Sequence, residues 1–287
     1  MKILITGAGG QLGRALRRVL GARGHVLVPL AKQELDVTDA VRVTESVRQI
    51  RPDAVIHCAA FTNVDLAEQN PAAAFMVNAD GTRHVAAAAA LVNAALVYVS
   101  TDYVFDGRKR APYTERDRPA PLGVYGASKL AGERAAAALC ERHFIVRTAW
   151  LYGQDGANFV RTVLHRAARG EPIMAASDQT GSPTCTEDLA EFIEILLQTE
   201  AYGLYHAANR GSCTRYEWVT AILEAAGIGH ARVLRKPLAS FGLAAPRPLY
   251  SALDDENIRL RKLPRFREWR PALETLVARL DIRKGES

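Results

Sequence analysis

The sequence has few cysteines and no arrangement of them that suggests a bridge or a metal. Four cysteines occur in 287 residues, with no CxxC motif and no Cys/His cluster. They are Cys58, Cys140, Cys185 and Cys213. A disulfide framework and a structural zinc site are therefore not expected, and we predict reduced, buried thiols.

Long apolar runs are also missing. No stretch of about 18 uncharged apolar residues occurs, and Met1-Lys2 leads directly into a short Ile-Leu-Ile-Thr-Gly run, without the apolar core of a signal peptide. The composition is 48% hydrophobic and 24% charged, which excludes disorder, collagen and coiled coil. We predict a soluble, cytoplasmic protein, with no membrane partner, that contains one large domain or a nucleotide-binding domain with a smaller lobe.

Positive charge is unevenly distributed. The net charge is +6, and residues 230–287 hold 13 Lys/Arg against 7 Asp/Glu, whereas residues 1–229 hold 24 of each. A nucleic-acid-binding face along the whole chain would not be partitioned in this way, so we expect no nucleic-acid partner. The basic C-terminal part could attract a compact anion such as a nucleotide diphosphate, or it could be a solvated arginine-rich surface.

Hydrophobic periodicity predicts strands that alternate with helices along the first half of the chain. The predicted strands are Lys2–Thr6, His25–Leu30, Ala54–Cys58, Ala95–Ser100 and Phe144–Thr148. The predicted helices are Gln11–Arg23, Asp39–Arg51, an alanine-rich buried crossover helix ending near Val92, and Ser128–Arg142. This alternation indicates an α/β fold, a Rossmann-type doubly wound parallel sheet.

The regular alternation ends near Trp150. Prolines then become frequent, and helical patterns cover Thr186–Gln198 and Arg215–Ala226. We therefore assign residues 1–150 to a Rossmann domain. Residues 151–287 are assigned mostly to a smaller C-terminal substrate-binding lobe, with some segments returning to the Rossmann sheet.

Three glycines follow the first strand. Gly7, Gly10 and Gly13 fit the spacing GxxGxxG, and they open the first predicted helix. Glycines at such a junction let backbone N–H groups approach a pyrophosphate at the positive end of the helix. The turn alone could be an ordinary strand-to-helix connection, but its position at the first βα junction favours dinucleotide binding.

The choice of dinucleotide rests on the end of the second strand. That strand carries no acid at its tip, and Lys32 follows it. A basic residue there favours NADPH over NADH, although Lys32 could also be an ordinary surface lysine, so NADH stays open. Asp36 and Val37 are placed to meet the adenine end. A helix-capping role for Asp36 is the alternative, but Thr38 or Asp39 is better placed for it.

A Tyr/Lys pair suggests acid–base chemistry. Tyr125 and Lys129 lie four residues apart at the predicted start of a helix, so they share one face and the ammonium can sit beneath the phenol. A neighbouring cation favours the phenolate of a tyrosine. Thr101, after a predicted strand, offers a hydroxyl to a substrate carbonyl. The three residues together suit ketone reduction, with Tyr125 as the proton donor. We therefore assign residues 1–150 to an NADP(H)-binding Rossmann domain that carries the catalytic residues.

These motifs and the chain length resemble the extended short-chain dehydrogenase/reductase family. Within that family, several stretches over about residues 1–255 are similar to the dTDP-4-dehydrorhamnose reductases. They include Ala59–Asp65, Ser100–Gly107, Tyr125–Lys129, Arg147–Trp150, Asp178–Thr184 and Arg247-Pro248. Related dehydratases carry an acidic residue where this chain has Tyr103, so the acid–base group for water elimination is missing.

The resemblance also implies roles for individual residues. Gly10, Gln11 and Leu12 would contact the pyrophosphate, Asp36 and Val37 the adenosine, and Ala60, Phe61 and Thr62 the nicotinamide side. Thr101, Asp102 and Trp150 would meet the sugar, with Gln179 and Arg247 as further substrate contacts. Core packing is the alternative for Trp150. Asn78 would support Lys129 through water, with an exposed helix-surface amide as the alternative.

The implied activity is reduction of the 4-keto group of a dTDP-linked 6-deoxy sugar to give dTDP-L-rhamnose, with NADPH as donor. Alternatives are a non-catalytic NADP-binding regulatory subunit like that of methionine adenosyltransferase, or a reductase of a related keto sugar. Some family members dimerise through magnesium bound by a glutamate two residues after the third glycine. This chain has Ala15 there, so we expect no magnesium and a monomer or a dimer built differently.

Overall fold

The computed structural model describes residues 1–280. Its strands are β1 Lys2–Thr6, β2 Val26–Leu30, β3 Ala54–His57, β4 Ala95–Thr101, β5 His143–Thr148, β6 Leu151–Tyr152, β7 Ile173–Ala176, β8 Thr180–Gly181, β9 Thr184–Cys185, β10 Gly203–His206, β11 Cys213–Thr214 and β12 Val233–Lys236. Its α-helices are α1 Gln11–Ala22, α2 Ala40–Ile50, α3 Val64–Gln69, α4 Pro71–Phe75, α5 Gly81–Leu91, α6 Val124–Leu139, α7 Phe159–Ala168, α8 Thr186–Leu197, α9 Arg215–Ala225, α10 Glu256–Leu260 and α11 Trp269–Arg279. A π-helical turn spans Met76–Asp80, and 3-10 turns span Asp102–Val104 and Leu238–Phe241.

Six parallel strands form the central sheet, in the order β2-β1-β3-β4-β5-β10. The side chains of Ile3, Leu4 and Ile5 on β1 are fully buried, because helices cover both faces of a parallel sheet. The chain runs from β1 outward to β2 and then crosses to β3 on the other side. Ligands of doubly wound sheets bind at such a switch point, beyond the carboxyl ends of the strands.

The predicted Rossmann-type fold is confirmed, and β1 has the predicted bounds. The alanine-rich helix is confirmed as a buried crossover, α5, whose Ala86, Ala88 and Ala89 are almost fully buried. Asp39 is the N-cap of α2 and accepts a hydrogen bond from Arg42 N at 3.0 Å, as expected for one of the two preferred capping residues.

The helix predicted over Ser128–Arg142 starts four residues and ends three residues beyond the observed helix. The observed α6 begins at Val124, whose N–H donates to Glu68 Oε1 of α3 at 2.7 Å. It ends at Leu139, because the next residues turn into β5. The start therefore depends on a contact 56 residues away in the chain, which no local pattern contains.

A second hydrophobic cluster lies among the C-terminal elements. It contains residues of α7, α9 and α11 around the fully buried Trp218, which stacks on Trp150 and Phe159. This cluster and the central sheet form the two sides of the cleft described below.

Five of the nine arginines between residues 230 and 280 form ion pairs with carboxylates. Arg259 and Arg265 both bind Asp255, and Arg267 binds Asp188. Arg283 and Lys284, which contribute to the predicted charge excess, lie outside the described residues. Across the described part of the chain, no helix has the length and apolar character needed to cross a membrane.

The four cysteines are free thiols. Cys140, Cys185 and Cys213 are buried as predicted, whereas Cys58 is only partly buried. Its place after β3 brings it to the wall of the cleft.

Candidate active site

A cleft of about 510 Å³ opens at the carboxyl ends of β1, β3 and β4. Most of the residues predicted for cofactor and catalysis line it. These are Gly7, Gly10, Gln11, Leu12, Gly13, Ala60, Thr62, Thr101, Asp102, Tyr125, Lys129 and Trp150. Predicted residues that do not line this cleft are Lys32, Asp36, Val37, Phe61, Gln179 and Arg247.

The glycine turn is packed against its own backbone. A Cβ atom on Gly13 would lie 2.6 Å from Ala8 Cα, so only glycine fits where α1 crosses the turn. Gly10 is the N-cap of α1 and supplies no capping side chain, and the first turn of this helix contains no acidic residue. The first N–H groups of α1 therefore face the cleft with the positive end of the helix dipole.

An unpaired polar atom also lies at this turn. The side-chain oxygen Oε1 of Gln11 is buried without a hydrogen-bond partner among the described residues. The uncapped N–H groups fit an anionic ligand, whereas the buried acceptor fits a hydrogen-bond donor, such as a hydroxyl or amide group of the same ligand. The donor set at the turn thus matches the pyrophosphate of a dinucleotide.

The segment after β3 is held by Asn78. Asn78 Oδ1 accepts a hydrogen bond from Phe61 N at 2.8 Å, and its Nδ2 donates to Phe61 O at 3.1 Å. Nδ2 also donates to Ser128 Oγ at 2.9 Å. Asn78 therefore connects the predicted nicotinamide-side segment to α6. It lies in the π-helical turn, a local irregularity that is frequent at functional sites.

The support of Lys129 by Asn78 through water stays a prediction. The ammonium Nζ of Lys129 donates to Val99 O at 2.7 Å and lies 4.2 Å from the centre of the Tyr98 ring. Asn78 contacts α6 directly through Ser128. The alternative of an exposed helix-surface amide is wrong, because Asn78 is 1% exposed.

Tyr125 lies in the first turn of α6. A Cβ on Gly126 would lie 2.1 Å from Tyr103 O, so glycine allows this helix to start directly against the turn after β4. Burial raises the pKa of the Tyr125 phenol above its usual value, the Thr101 hydroxyl acts against this rise, and Asp102 and Tyr103 add to it. The phenol therefore stays protonated at neutral pH and can act as a proton donor.

Burial has the opposite effect on the neighbouring amine. It lowers the pKa of Lys129 to about 7, while Glu133 acts to raise it. The ammonium form is thus only partly populated at neutral pH, so small changes in the surroundings change its charge.

Thr101 and Asp102 end β4 at the cleft. Thr101 Oγ1 donates to Asp102 Oδ1 at 3.1 Å and accepts from Tyr103 N at 3.1 Å. Ser251 Oγ donates to Asp102 Oδ2 at 2.6 Å. Burial nevertheless raises the pKa of Asp102 to about 6, although the hydrogen bonds from Ser251 and Thr101 lower it.

The raised pKa of Asp102 leads to a prediction about the stability of Asp102→Asn at different pH values. The pKa of the carboxyl is higher in the folded state, so its contribution to stability is present at low pH and is lost as pH rises through about 6. The loss amounts to about 2 kcal/mol between pH 4 and pH 7. Urea denaturation should show a flatter dependence of unfolding free energy on pH in Asp102→Asn. An unchanged slope would show that another group titrates.

Trp150 lines the opposite wall of the cleft, and Arg215 packs against its ring just outside the lining. Trp150 has a φ of 47° and its ring lies against Gly181. The guanidinium carbon of Arg215 stacks 3.5 Å from the centre of the Trp150 ring. Among residues 1–280, this guanidinium makes one hydrogen bond, from Nε to Gln179 Oε1 at 3.4 Å. A cation with so few partners beside a cleft is available to an anionic ligand.

Sequence reasoning did not select Arg215. One signal was available, since Thr214 caps α9 and Arg215 is the first residue of that helix. A cation at the positive end of a helix is unfavourable and calls for another reason to be there.

Two predicted substrate contacts lie behind the cleft lining. Gln179 is 3% exposed and holds Arg215 as described. Arg247 forms a two-pronged ion pair with Asp65, with nitrogen–oxygen distances of 2.7 and 3.1 Å. Burial acts to lower the pKa of Arg247, but the Asp65 carboxylate raises it overall.

The residues predicted for the adenosine end lie beyond the cleft. Lys32 is exposed just after β2. Asp36 accepts from both Thr38 N and Thr38 Oγ1, which lowers its pKa. Val37 is buried, and its carbonyl contacts His84 Nδ1 at 3.0 Å.

The similarity of this chain to known proteins extends over almost its whole length. A family model described as the RmlD substrate binding domain matches residues 1–282. A dTDP-4-dehydrorhamnose reductase from Streptomyces griseus is 42% identical over 290 residues, covering 98% of this chain and 95% of its own. A dTDP-4-keto-6-deoxy-D-glucose reductase from Streptomyces niveus is 37% identical over 271 residues, 94% of each chain.

A solved structure is similar to the same extent. The crystal structure of dTDP-4-dehydrorhamnose reductase from Bacillus anthracis, in complex with NADP, superposes with a TM-score of 0.95 and 42% identity. The match covers 97% of this chain and 99% of that one. It therefore includes both the sheet and the C-terminal elements.

Proposed function

The chain belongs to the dTDP-4-dehydrorhamnose reductase family described by the RmlD substrate binding domain, and we propose that it reduces the C4 keto group of dTDP-4-dehydro-6-deoxy-L-mannose with NADPH. The observation that carries this proposal is the position of Thr101, Tyr125 and Lys129 on one cleft that also contains the glycine turn. That arrangement brings a proton donor and a dinucleotide-type site within one cavity of about 510 Å³.

The proposed chemistry divides between the cofactor and the chain. When bound, NADPH supplies a hydride to the C4 carbon of the sugar. Tyr125 gives its phenolic proton to the carbonyl oxygen, and the resulting phenolate regains a proton from solvent. The Thr101 hydroxyl, which donates to Asp102 Oδ1 in the structure, would rotate to donate to the same carbonyl oxygen when substrate is bound. The Lys129 cation stabilises the phenolate.

The positive charge next to the opposite wall suits an anionic sugar nucleotide. Arg215 stays charged, because burial lowers its pKa only to about 10, and Asp102 and Tyr103 oppose this effect. We propose that Arg215 binds the negatively charged part of the dTDP group. Trp150 presents an aromatic surface to the sugar, and Asp102 offers a hydrogen-bond acceptor to its hydroxyls.

The direct test is turnover. Purified protein supplied with dTDP-4-dehydrorhamnose should oxidise NADPH and yield dTDP-L-rhamnose, identified by chromatography against standards. NADP binding without turnover would replace this proposal with the non-catalytic, regulatory one. The resemblance to the Streptomyces niveus reductase makes dTDP-4-keto-6-deoxy-D-glucose the matched second substrate. Faster reduction of that sugar would show that the product of this chain is a different deoxyhexose.

Lys32 should decide the cofactor preference if it faces the 2′-phosphate. Lys32 is exposed, and an exposed ion pair contributes about 0–1 kcal/mol. Lys32→Ala should therefore weaken NADPH binding at most severalfold and leave NADH binding unchanged. Fluorescence titration with each cofactor measures both values. Equal losses for the two cofactors would remove Lys32 from phosphate recognition.

Magnesium should have no effect on assembly or rate. Ala15 is fully buried in α1 and has no side-chain oxygen to offer a hard cation. Sedimentation and NADPH oxidation with and without EDTA should give the same mass and the same rate. A dimer that dissociates on chelation would show that other carboxylates bind the metal.

A further inference from the structure

A buried ion pair lies behind the cleft and has no role in the chemistry described so far. Glu133 of α6 binds Arg147 of β5 through two hydrogen bonds, Nε to Oε1 at 2.8 Å and Nη2 to Oε2 at 2.7 Å. The two residues are 5% and 3% exposed. Burying two charges has a large desolvation cost, so such a pair is weak evidence for a purely stabilising role.

The pair is directly connected to the catalytic lysine. Glu133 follows Lys129 by one turn of α6, so both side chains project from the same face of the helix. Ser100 Oγ donates to Glu133 Oε1 at 2.5 Å. Ser100 is adjacent to Val99, whose carbonyl accepts the Lys129 ammonium, and to Thr101. Glu133 therefore contacts the strand end that holds Lys129 as well as Arg147.

The surroundings of Arg147 are otherwise neutral. Its guanidinium carbon lies 5.2 Å from the centre of the Phe105 ring, and Nη1 is 3.4 Å from His206 Nε2. Burial, with the nearby Arg147 charge, lowers the pKa of His206 to about 3. Within residues 1–280, Glu133 is thus the carboxylate that balances Arg147.

The other titratable groups that face Lys129 carry no charge at neutral pH. From the end of β3, burial lowers the pKa of His57 to about 3 and raises that of Cys58 to about 12. From β4, burial raises the pKa of Tyr98 well above its usual value. Tyr125, on α6 itself, is protonated as described above. Glu133 is the remaining anionic group among these neighbours.

We propose that Glu133 and Arg147 are a positioning pair, in which the Glu133 carboxylate keeps Lys129 cationic and Arg147 limits the strength of that effect. The catalytic meaning of this charge rests on the proposed function, because it is the ammonium form of Lys129 that stabilises the Tyr125 phenolate. The effect of Glu133 and Arg147 on the charge of Lys129 concerns only residues of this chain and does not depend on that function.

The pair makes a prediction that differs in sign between its two members. Glu133→Gln removes the anion and leaves the Arg147 cation unbalanced, so the pKa of Lys129 should fall by about one unit or more. Arg147→Met leaves the carboxylate unbalanced, so the pKa of Lys129 should rise. The double variant should lie between the two single variants. A merely structural role would not give opposite shifts.

Nitrogen-15 NMR of the lysine ammonium groups measures the titration without substrate or cofactor, and Lys129→Met assigns the signal. In kinetic measurements, the alkaline limb of the pH profile of kcat/KM should move in the same directions. If wild type does not reduce the sugar nucleotide, the proposed function fails, while the NMR titration still tests the pair.

A matched control is available in another arginine–carboxylate pair. Asp188 binds Arg267 through two contacts of 2.8 Å on α8, away from the cleft lining. Asp188→Asn makes the same chemical change and should leave the Lys129 titration where it is. If Glu133→Gln does not fold, the double variant, in which no buried charge is unpaired, is compared with Arg147→Met. A Lys129 titration that is unchanged, or shifted in the same direction in both single variants, would overturn the proposal.

Discussion

Replacement of Tyr125 by Phe should lower turnover by about 10²–10⁴-fold, the usual contribution of a general acid. The substitution removes only the hydroxyl and keeps the ring that contacts Tyr103 edge-on, with ring centres 5.7 Å apart. NADPH binding and the unfolding midpoint should therefore change little. Stopped-flow measurement of NADPH oxidation, with fluorescence titration of the cofactor, separates the two effects.

A second tyrosine provides the control for this prediction. Tyr202 accepts a hydrogen bond from Arg142 Nε at 2.8 Å at the edge of the sheet, outside the cleft lining. Tyr202→Phe removes the same hydroxyl and should retain wild-type turnover. Wild-type turnover in Tyr125→Phe, by contrast, would remove Tyr125 from the proposed mechanism.

The parts of the site that could be predicted are those encoded by local pattern. The apolar run of β1, the three glycines after it and the Tyr125/Lys129 spacing are each contained within seven residues. A parallel sheet then brings the ends of β1 and β4 to one edge, because its strands all point the same way. Motifs that are far apart in the sequence are therefore predicted to be neighbours in the fold.

The details that could not be predicted depend on contacts across the fold. The phenol of Tyr125 and the ammonium of Lys129 share a face of α6, but the ammonium bonds to Val99 O, 30 residues away. The position of Asn78 depends on a π-helical turn, for which the sequence has no established pattern. Its two hydrogen bonds to the backbone of Phe61 are equally non-local.

Arg215 was missed because its role depends on aromatic residues from other segments. The guanidinium lies between the rings of Trp150 and Phe159, with its central carbon 3.5 and 5.0 Å from their centres. These residues precede it by more than 50 positions. Periodicity places Arg215 at the start of a helix, where a cation is unfavourable, but that signal does not identify the rings or the ligand that the guanidinium faces.

The second large effect is expected for Arg215→Met. A hydrogen bond to a charged group contributes about 1.5–3 kcal/mol, so kcat/KM for the sugar nucleotide should fall by about 10- to 150-fold. Most of the loss should be in KM, because Arg215 would bind the dTDP group and not the reacting carbonyl. The affinity for NADPH should not change, since Arg215 does not line the glycine-turn cleft. Steady-state kinetics in the sugar nucleotide and a separate cofactor titration measure the two quantities.

Two further variants decide whether the charge or the packing of Arg215 matters. Arg215→Lys keeps the charge, but it loses the planar stacking on Trp150 and should recover only part of the affinity. Arg235 stacks in a similar way on Tyr216, at 5.3 Å from its ring centre, on the exposed strand β12. Arg235→Met is therefore the matched control and should leave KM unchanged. If Arg215→Met also leaves KM unchanged while the protein stays folded, the anionic part of the substrate binds elsewhere, and Arg215 only packs against Trp150 and Phe159.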